Sequence, residues 1–416
     1  MIISRPDSLA PYDVERVRAD FPILSKLVRG RPLVFLDTTA SAQKPQSVID
    51  AERFVYEEEY ANIHRGLYYL SAKATERFEA ARRKVQKFLN AAKPEEIIVT
   101  RNATESINLV ASSWGRKFLK AGDEILITGL EHHANIVPWQ FLRDQLGVVL
   151  KVVPVEDDGE VTLENFARLL GPKTRMVSVA HVSNVLGTVL PVAEMVRLAH
   201  QAGAKVLLDG AQAAVHMSVD VQALDCDFYV MSGHKLYGPT GIGVLYGKEA
   251  LLDAMPPYQG GGDMILSVTF EKTTYAPLPN KFEAGTPAIA QMHALGAAID
   301  YVTELGLERI ARHEHDLLVY ANRCLADLPG FRVLGTRPDK AAVLSFALDC
   351  AHPHDIAQVL DNAGVSIRAG HHCAQPLMER FGVPATARAS FGLYNTRAEV
   401  DALVAAVTKV VEMFSE

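Results

Sequence analysis

Lys235 sits where a solvated charge has little reason to be. The segment Ser232-Gly233-His234-Lys235-Leu236-Tyr237-Gly238-Pro239 follows an apolar run, Phe228-Tyr229-Val230-Met231, that reads as a buried strand, and residues 240–246 read as a second one. Burial disfavours an ammonium and makes the amine nucleophilic, which is the condition of a Schiff-base lysine. An isolated loop lysine would carry no such meaning. This one has a counterpart: Asp209 closes the apolar run Lys205-Val206-Leu207-Leu208 and precedes Gly210-Ala211-Gln212. An acid at one strand end and a lysine at another are what pyridoxal phosphate requires. The carboxylate keeps the pyridinium nitrogen protonated and the amine forms the imine.

A place for the phosphate of such a cofactor lies upstream. A strand over residues 96–100 runs into Arg101-Asn102-Ala103-Thr104-Glu105-Ser106, which opens a helix. Its free N–H groups and dipole attract an anion and Thr104 adds a hydroxyl, although an ordinary N-cap would read the same way. In Glu131-His132-His133-Ala134-Asn135 the flat imidazole of His132 could stack on a pyridine ring. Metal binding and a satisfied loop histidine are the alternatives, and adjacent histidines point apart, which disfavours a shared metal. A second chemical centre is Ile367-Arg368-Ala369-Gly370-His371-His372-Cys373-Ala374-Gln375-Pro376. A cysteine flanked by His and Arg has surroundings that stabilise a thiolate. Cys226, Cys324 and Cys350 lie in apolar segments and read as inert. Arg388, mid-strand in Thr386-Ala387-Arg388-Ala389-Ser390-Phe391, wants a carboxylate. Either an internal ion pair or a bidentate clamp on a substrate α-carboxylate would supply it.

Composition excludes several other functions. The 416 residues exceed one ordinary core, so two domains are expected. A hydrophobic share of 49% and a charged share of 22% belong to a globular protein, and a net charge of −7 without like-charge blocks argues against nucleic-acid or membrane-surface binding. No apolar stretch reaches the ~18 residues of a membrane span. Met1 to Asp20 has no signal-type apolar core, so a cytoplasmic address is expected. The four cysteines are far apart with no CxxC pair, which disfavours a disulfide framework or a four-ligand zinc site.

The elements that must position these residues alternate. Strand signals at residues 96–100, 123–128, 148–153, 175–180, 205–209 and 228–231 are separated by helical stretches at 104–119, 134–145, 163–170 and 192–201. That alternation predicts an α/β domain with a largely parallel sheet covered on both faces. From Pro256 to Thr286 the pattern loses periodicity and reads as a long functional loop. Long helices over 288–305 and 307–325 follow, then strands at 331–334, 342–348 and 387–391 with helices at 353–363 and 397–414, which predicts a smaller α+β domain.

Taken together, these motifs resemble the group II (SufS-type) cysteine desulfurases of the SUF iron–sulfur assembly system, among the class V aminotransferase-like, fold-type I pyridoxal-phosphate enzymes. The resemblance runs from Phe35-Leu36-Asp37 to Asn395-Thr396. It rests on Ala42-Gln43-Lys44-Pro45, His64-Arg65-Gly66, Glu131-His132-His133-Ala134-Asn135, His181-Val182-Ser183-Asn184-Val185-Leu186-Gly187, Asp209-Gly210-Ala211-Gln212, Ser232-Gly233-His234-Lys235 and Phe282-Glu283-Ala284-Gly285-Thr286-Pro287. The Arg-Ala-Gly-His-His-Cys-Ala element marks group II. The resemblance implies a mainly parallel seven-stranded sheet in a large domain over residues 31–290. A small domain over 291–416 would carry the Cys373 loop, with residues 1–30 packing against it. It further implies that Lys235 carries the Schiff base, Asp209 pairs with the ring nitrogen, Gln212 bonds the phenolic oxygen and His132 stacks on the ring. Thr104, Ser232 and His234 would hold the phosphate, and Thr286 would reach the cofactor of the neighbouring subunit in a homodimer. Asn184 and Arg388 would bind the substrate carboxylate, with Asn184 also lining the cofactor and His64 and Arg368 lining the pocket. Asn102-Ala103 departs from the family's Gly-Thr, which removes a phosphate-side hydroxyl.

The activity so implied is conversion of L-cysteine to L-alanine, with Lys235 moving the Cα proton, His132 shuttling a proton and Cys373 retaining the sulfur as a persulfide. Selenocysteine would also serve as substrate. The sulfur acceptor would be a small protein, either SufE-like or a zinc-bound, SufU-like scaffold to which His354 lends a ligand; His354 also reads as a plain helix-start residue beside a capping Asp355. Another pyridoxal-phosphate lyase or aminotransferase would leave Cys373 without a role. A non-catalytic carrier would leave Lys235 and Asp209 without one, and a metalloprotein finds no HExxH or carboxylate-rich ligand set.

Overall fold

The computed structural model describes residues 12–414. Its larger sheet holds seven strands, β1 (Ile97–Thr100), β2 (Glu124–Thr128), β3 (Val149–Val153), β4 (Thr174–Ala180), β5 (Lys205–Asp209), β6 (Phe228–Ser232) and β7 (Gly243–Gly247), in the order β1-β7-β6-β5-β4-β2-β3. All are parallel except β7, which runs antiparallel to both of its neighbours. Central strands of a doubly covered sheet must be apolar on both faces, and β6 is buried along its whole length. The two faces feed different cores: Val206, Leu208, Tyr229 and Met231 join one, Leu207, Phe228 and Val230 the other. β3 lies at the sheet edge and is correspondingly more exposed.

Helices were anticipated where periodicity was clean and missed where it was not. The helix expected over 104–119 begins at Ala103, passes through a π-helical turn at Ala111–Gly115 and ends at Phe118. Helices Gln46–Glu58 and Tyr69–Phe88, absent from the sequence reading, pack on the apolar helix Ile289–Leu305. Charged residues are scattered around Tyr69–Phe88, and even Arg82 is buried, so its apolar stripe is broken. The aperiodic stretch before Thr286 contains a hairpin, Ile265–Val268 with Thr273–Tyr275, whose Leu266, Val268 and Phe270 are exposed.

The smaller sheet comprises β8 (Phe331–Leu334), β9 (Val343–Leu348), β10 (Arg368–Gly370) and β11 (Thr386–Ser390), antiparallel in the order β8-β9-β11-β10. β10, read from sequence as loop, is an edge strand of three residues, too short for an alternation to register. Val34–Phe35 pairs in parallel with Val365–Ser366. Near the N-terminus, Tyr12 donates to the carbonyl of Leu393 (2.8 Å) and Arg18 pairs with Glu399 (2.9 Å); residues 1–11 of the expected N-terminal segment lie outside the described residues. Among the described residues no helix is long and apolar enough to cross a membrane.

One buried ion pair ties the helical layer to the sheet. Arg82, 1% exposed, donates to both carboxylate oxygens of Glu283 (2.7 and 2.9 Å) and to the carbonyl of Ile97 (2.7 Å), while Glu283 accepts from the N–H of Val99 (2.7 Å). Removing one partner strands the other charge. Arg82→Ala should therefore lower the free energy of urea unfolding by about 3–5 kcal/mol, and a loss under about 1 kcal/mol would show that water solvates the stranded Glu283 carboxylate.

Candidate active site

The parallel strands end on one side of the sheet, where ligands of open α/β folds bind. Asp209 is the last residue of β5, and the Ser232–Gly238 turn leaves β6 beside it, in register with Asp209 opposite Val230. The turn is closed by Gly238 N–H donating to the Gly233 carbonyl (3.0 Å) and Gly233 N–H to the Ile242 carbonyl (2.9 Å). It holds Lys235 half-buried. Burial pulls the Lys235 amine below its ordinary range, Arg388 adds to the fall, and Asp209 and Cys373 oppose it. Burial pushes the Asp209 carboxyl up, against the attraction of Lys235. Its Oδ1 accepts from the N–H of Ala211 (3.0 Å). Gly210 is needed for close approach: a Cβ there would stand 2.0 Å from the ring of Tyr229, whose hydroxyl meets His181 Nδ1 at 3.1 Å.

His132 enters from the end of β2. Its Nδ1 accepts from the N–H of Ala134 (3.0 Å), so its proton sits on Nε2. Burial first, then Lys235, holds the ring down to about 3. It is a neutral plate at working pH, which suits stacking better than carrying a proton as a cation. Glu131, the preceding residue, is locked by Thr128 (2.6 Å), Asn135 (2.7 Å) and the N–H of Ala180 (3.1 Å). Gln212 donates to the carbonyl of Thr39 (2.9 Å).

At the helix that follows β1, Asn102 caps by accepting from the N–H of Glu105 (2.9 Å), and Ser232 Oγ accepts from the N–H of Ala103 (2.9 Å). Thr104 is exposed at the same end. Gly243 must lack a side chain because a Cβ would lie 2.5 Å from the Asn102 backbone. His234 meets Ser41 Oγ at 3.2 Å, and burial holds its ring down to about 4. Lys44, not singled out as a site residue, donates to the carbonyls of Ala42 and His234 and is held by burial to about 8. Thr286 lines a cleft of about 260 Å³ with Thr100, Arg101, Gly241 and Tyr258.

Arg388 and Arg368 face each other as Cα partners on β11 and β10. Asp37 sits between them. It pairs with Arg368 through two nitrogens (2.7 to 3.2 Å) but meets Arg388 only at 3.4 Å. Arg388, 2% exposed, also donates to the Asn184 carbonyl (2.8 Å), and its Nε is buried without a partner. Burial lowers it to about 10. Arg388 thus has an internal partner in Asp37, and one of its donors is left over.

Cys373 is exposed on the loop after β10, and its thiol acts electrostatically on Lys235, Arg368 and Arg388. His372 Nε2 lies 2.8 Å from Thr386 Oγ1, and burial holds its ring to about 3. Asn184 donates to the His372 carbonyl (2.8 Å). Cys226 is buried, and burial drives its thiol up. Two predicted residues lie apart. His64 bonds Glu79 (3.1 Å) and Thr75 (2.9 Å) on the helix Tyr69–Phe88, and His354 lies exposed at a helix start beside His352.

Residues 34–403 match the aminotransferase class-V family model. The chain belongs to that family. Within it the chain groups with cysteine desulfurases. It is 55% identical over 399 residues to a cysteine desulfurase of Synechococcus elongatus, covering 96% of this chain and 64% of that protein, and 54% identical over 400 residues to one of Escherichia coli O127:H6, covering 96% and 98%. The crystal structure of the cysteine desulfurase CsdA of Escherichia coli superposes with a TM-score of 0.91 at 41% identity, over 97% of this chain and 100% of that one. This class-V member is a pyridoxal-phosphate enzyme, and its residues fit that group. A buried carboxylate (Asp209) suits a protonated ring nitrogen, a desolvated amine (Lys235) suits a Schiff base, and a capped helix end with Ser232 and Thr104 suits a phosphate.

The buried imidazoles make stability pH-dependent. His181 and His372 are held to about 4 and about 3 against an ordinary 6.5, with burial the main cause in both. The unfolded chain protonates both below about 6.5 and the folded chain does not, so their contribution is complete above that pH and is lost as pH falls toward those values. Glu131, raised to about 7 by burial, acts in the opposite sense: its contribution is complete below 4.5 and lost as pH rises to 7. Urea unfolding of His372→Asn between about pH 5.5 and 4.5 should show a dependence shallower than wild type by about one proton, or about 1.4 kcal/mol per pH unit. Equal slopes would mean that the folded His372 ring titrates freely.

Proposed function

We propose that this chain is an L-cysteine desulfurase that keeps the abstracted sulfur as a persulfide on Cys373 and yields L-alanine. The observation that carries this reading is the exposed thiol within electrostatic reach of two arginines and of Lys235, which is half-buried after a buried strand. When bound, pyridoxal phosphate supplies an electron sink for the substrate carbon. Asp209, Gln212, His132, Thr104, Ser232, His234 and Asn184 would hold it, with Lys235 as its covalent anchor. Arg388, with its unspent Nε, and Asn184 would clamp the substrate α-carboxylate. The Lys235 amine, its basicity lowered by burial, accepts the Cα proton at Nζ. The Cys373 thiolate then attacks the substrate sulfur. An S–S bond forms as the Cβ–S bond breaks, the released pair is protonated to give the methyl group, and a proton returned to Cα from Lys235 Nζ completes alanine. Selenocysteine would react by the same route.

The wider reading follows from placement. Tyr12 and Arg18 contact the carbonyls of Leu393 and Tyr394, which favours an N-terminal segment packed on a small domain over 291–416, beside a large domain over 31–290. Exposed Leu67, Tyr68, Tyr69 and Leu70 beside His64, and the exposed hairpin tip at Phe270, supply apolar surface for a homodimer in which Thr286 serves the neighbouring subunit's phosphate. The protein would act in the cytoplasm within SUF-type iron–sulfur assembly and pass sulfur to a small acceptor. The exposed His352–His354 pair, rings 4.9 Å apart, favours a zinc-bound, SufU-like acceptor over a SufE-like one.

Cys373→Ala should bind pyridoxal phosphate normally and form no alanine from L-cysteine. Wild-type turnover by that variant would make the protein a lyase working wholly on the cofactor. His354→Ala should keep basal turnover and lose stimulation by a zinc-bound acceptor, measured as alanine formed with and without the acceptor; full stimulation would remove His354 from the transfer.

A further inference from the structure

The Cys373 loop is bent into conformations its residues do not choose. His372 and Cys373 are both left-handed (φ +52° and +54°), after Gly370 at φ +132°. Two successive non-glycine residues in that region cost on the order of 1–2 kcal/mol each, so contacts from outside must hold them there. On the side before the thiol these are Asn184, donating to the His372 carbonyl (2.8 Å), and Thr386, bonded to the His372 ring (2.8 Å). Within the loop, His371 Nδ1 accepts the N–H of Cys373 itself (3.2 Å).

On the far side the holding residue is His133. Its backbone N–H donates to the Cys373 carbonyl (2.6 Å), and its Nε2 accepts from the N–H of Gln375 (3.0 Å). One residue therefore grips the chain at the thiol-bearing residue and again two residues on, where the helix Gln375–Arg380 begins. The grip is firm because His133 follows Glu131 and His132 in a turn anchored by buried bonds from Glu131 to Thr128, Asn135 and Ala180. It also requires a neutral ring, since a protonated Nε2 cannot accept. Burial, reinforced by His371 at a ring separation of 5.5 Å, pulls His133 below its ordinary value.

We propose that His133 is a positioning residue for the sulfur nucleophile: its Nε2 acceptor and backbone N–H clamp the loop so that the Cys373 thiol, although exposed, is held toward the site. This deepens the desulfurase reading and rests on it for the consequence to turnover. The turn that presents His132 to the site thus also places the thiol.

The test compares two polar substitutions in the pyridoxal-phosphate-loaded protein. In His133→Gln the side-chain oxygen reaches about as far as Nε2 and restores the acceptor, whereas in His133→Asn it stops short. Three quantities are measured: alanine formed in the first turnover of L-cysteine, the rate of Cys373 alkylation by iodoacetamide without substrate, and melting temperature. His133→Asn should lose on the order of tenfold or more in first-turnover alanine, the cost of a nucleophile displaced by about an ångström. Its Cys373 should alkylate severalfold faster, with melting temperature and cofactor absorbance unchanged. His133→Gln should stay within about threefold of wild type on both rates, about 0.7 kcal/mol at RT ln 3. The proposal is overturned if His133→Asn matches wild type in alkylation, if Gln and Asn are equally impaired, or if alanine formation falls only in step with melting temperature. Alkylation involves no turnover, so its outcome stands even if Cys373→Ala proves active and the desulfurase reading fails.

Discussion

Two guanidinium groups placed opposite each other on neighbouring strands repel, and the site depends on how that repulsion is resolved. Register sets Arg368 against Arg388, and one carboxylate, Asp37, serves both. Asp37 comes from far earlier in the chain and is held by a bridge to Ser390 on β11, so its position is part of the sheet. Because Arg368 takes both oxygens at close range, Arg388 remains undercompensated although buried. A buried charge short of a partner is costly, and a carboxylate ligand relieves the cost. The same guanidinium bonds the carbonyl of Asn184, whose amide bonds the carbonyl of His372, next to Cys373. Arg388 and the Cys373 loop are therefore linked through Asn184.

Burial decides which groups bear charge. The imidazoles of His132, His181, His234 and His372 are all held below their ordinary value, burial being the leading cause in each. Sequence alone suggests that the His and Arg residues flanking Cys373 stabilise its thiolate. Of the two histidines, His371 Nδ1 is spent on the backbone, and burial holds His372 below its ordinary value. The positive groups acting on the thiol are Arg368, Arg388 and Lys235. An arginine keeps its charge when desolvated far better than a histidine, so such a site can exclude water without losing its field.

What could be read from sequence follows from how local each signal is. Parallel strands buried on both faces are continuous apolar runs, so β5 and β6, with the residues that leave their ends, stood out, and Asp209 and Lys235 with them. The antiparallel course of β7 did not, because direction is set by pairing partners and not by the strand's own residues. β10 has too few residues for periodicity. Asp37 escaped notice because a carboxylate's role here is defined by two arginines more than three hundred residues away. His133 was seen only as the neighbour of His132, since its partners are backbone atoms of the distant Cys373 loop.

The proposed chemistry makes opposed demands on its two reactive groups, and the fold separates them. A base that takes a carbon-bound proton works best desolvated, and Lys235 emerges from the end of a buried strand. A thiol that must later surrender its sulfur to another protein has to be reachable from outside, and Cys373 is exposed. Placing both on the large sheet would bury the thiol or expose the amine. Carrying the thiol on the loop that leaves the smaller sheet's edge strand avoids that conflict at the cost of strain, and strain of this kind persists only where contacts fix it from both sides. Asn184 and His133 supply those contacts from the ends of β4 and β2, so the sheet that positions the amine also positions the thiol without enclosing it.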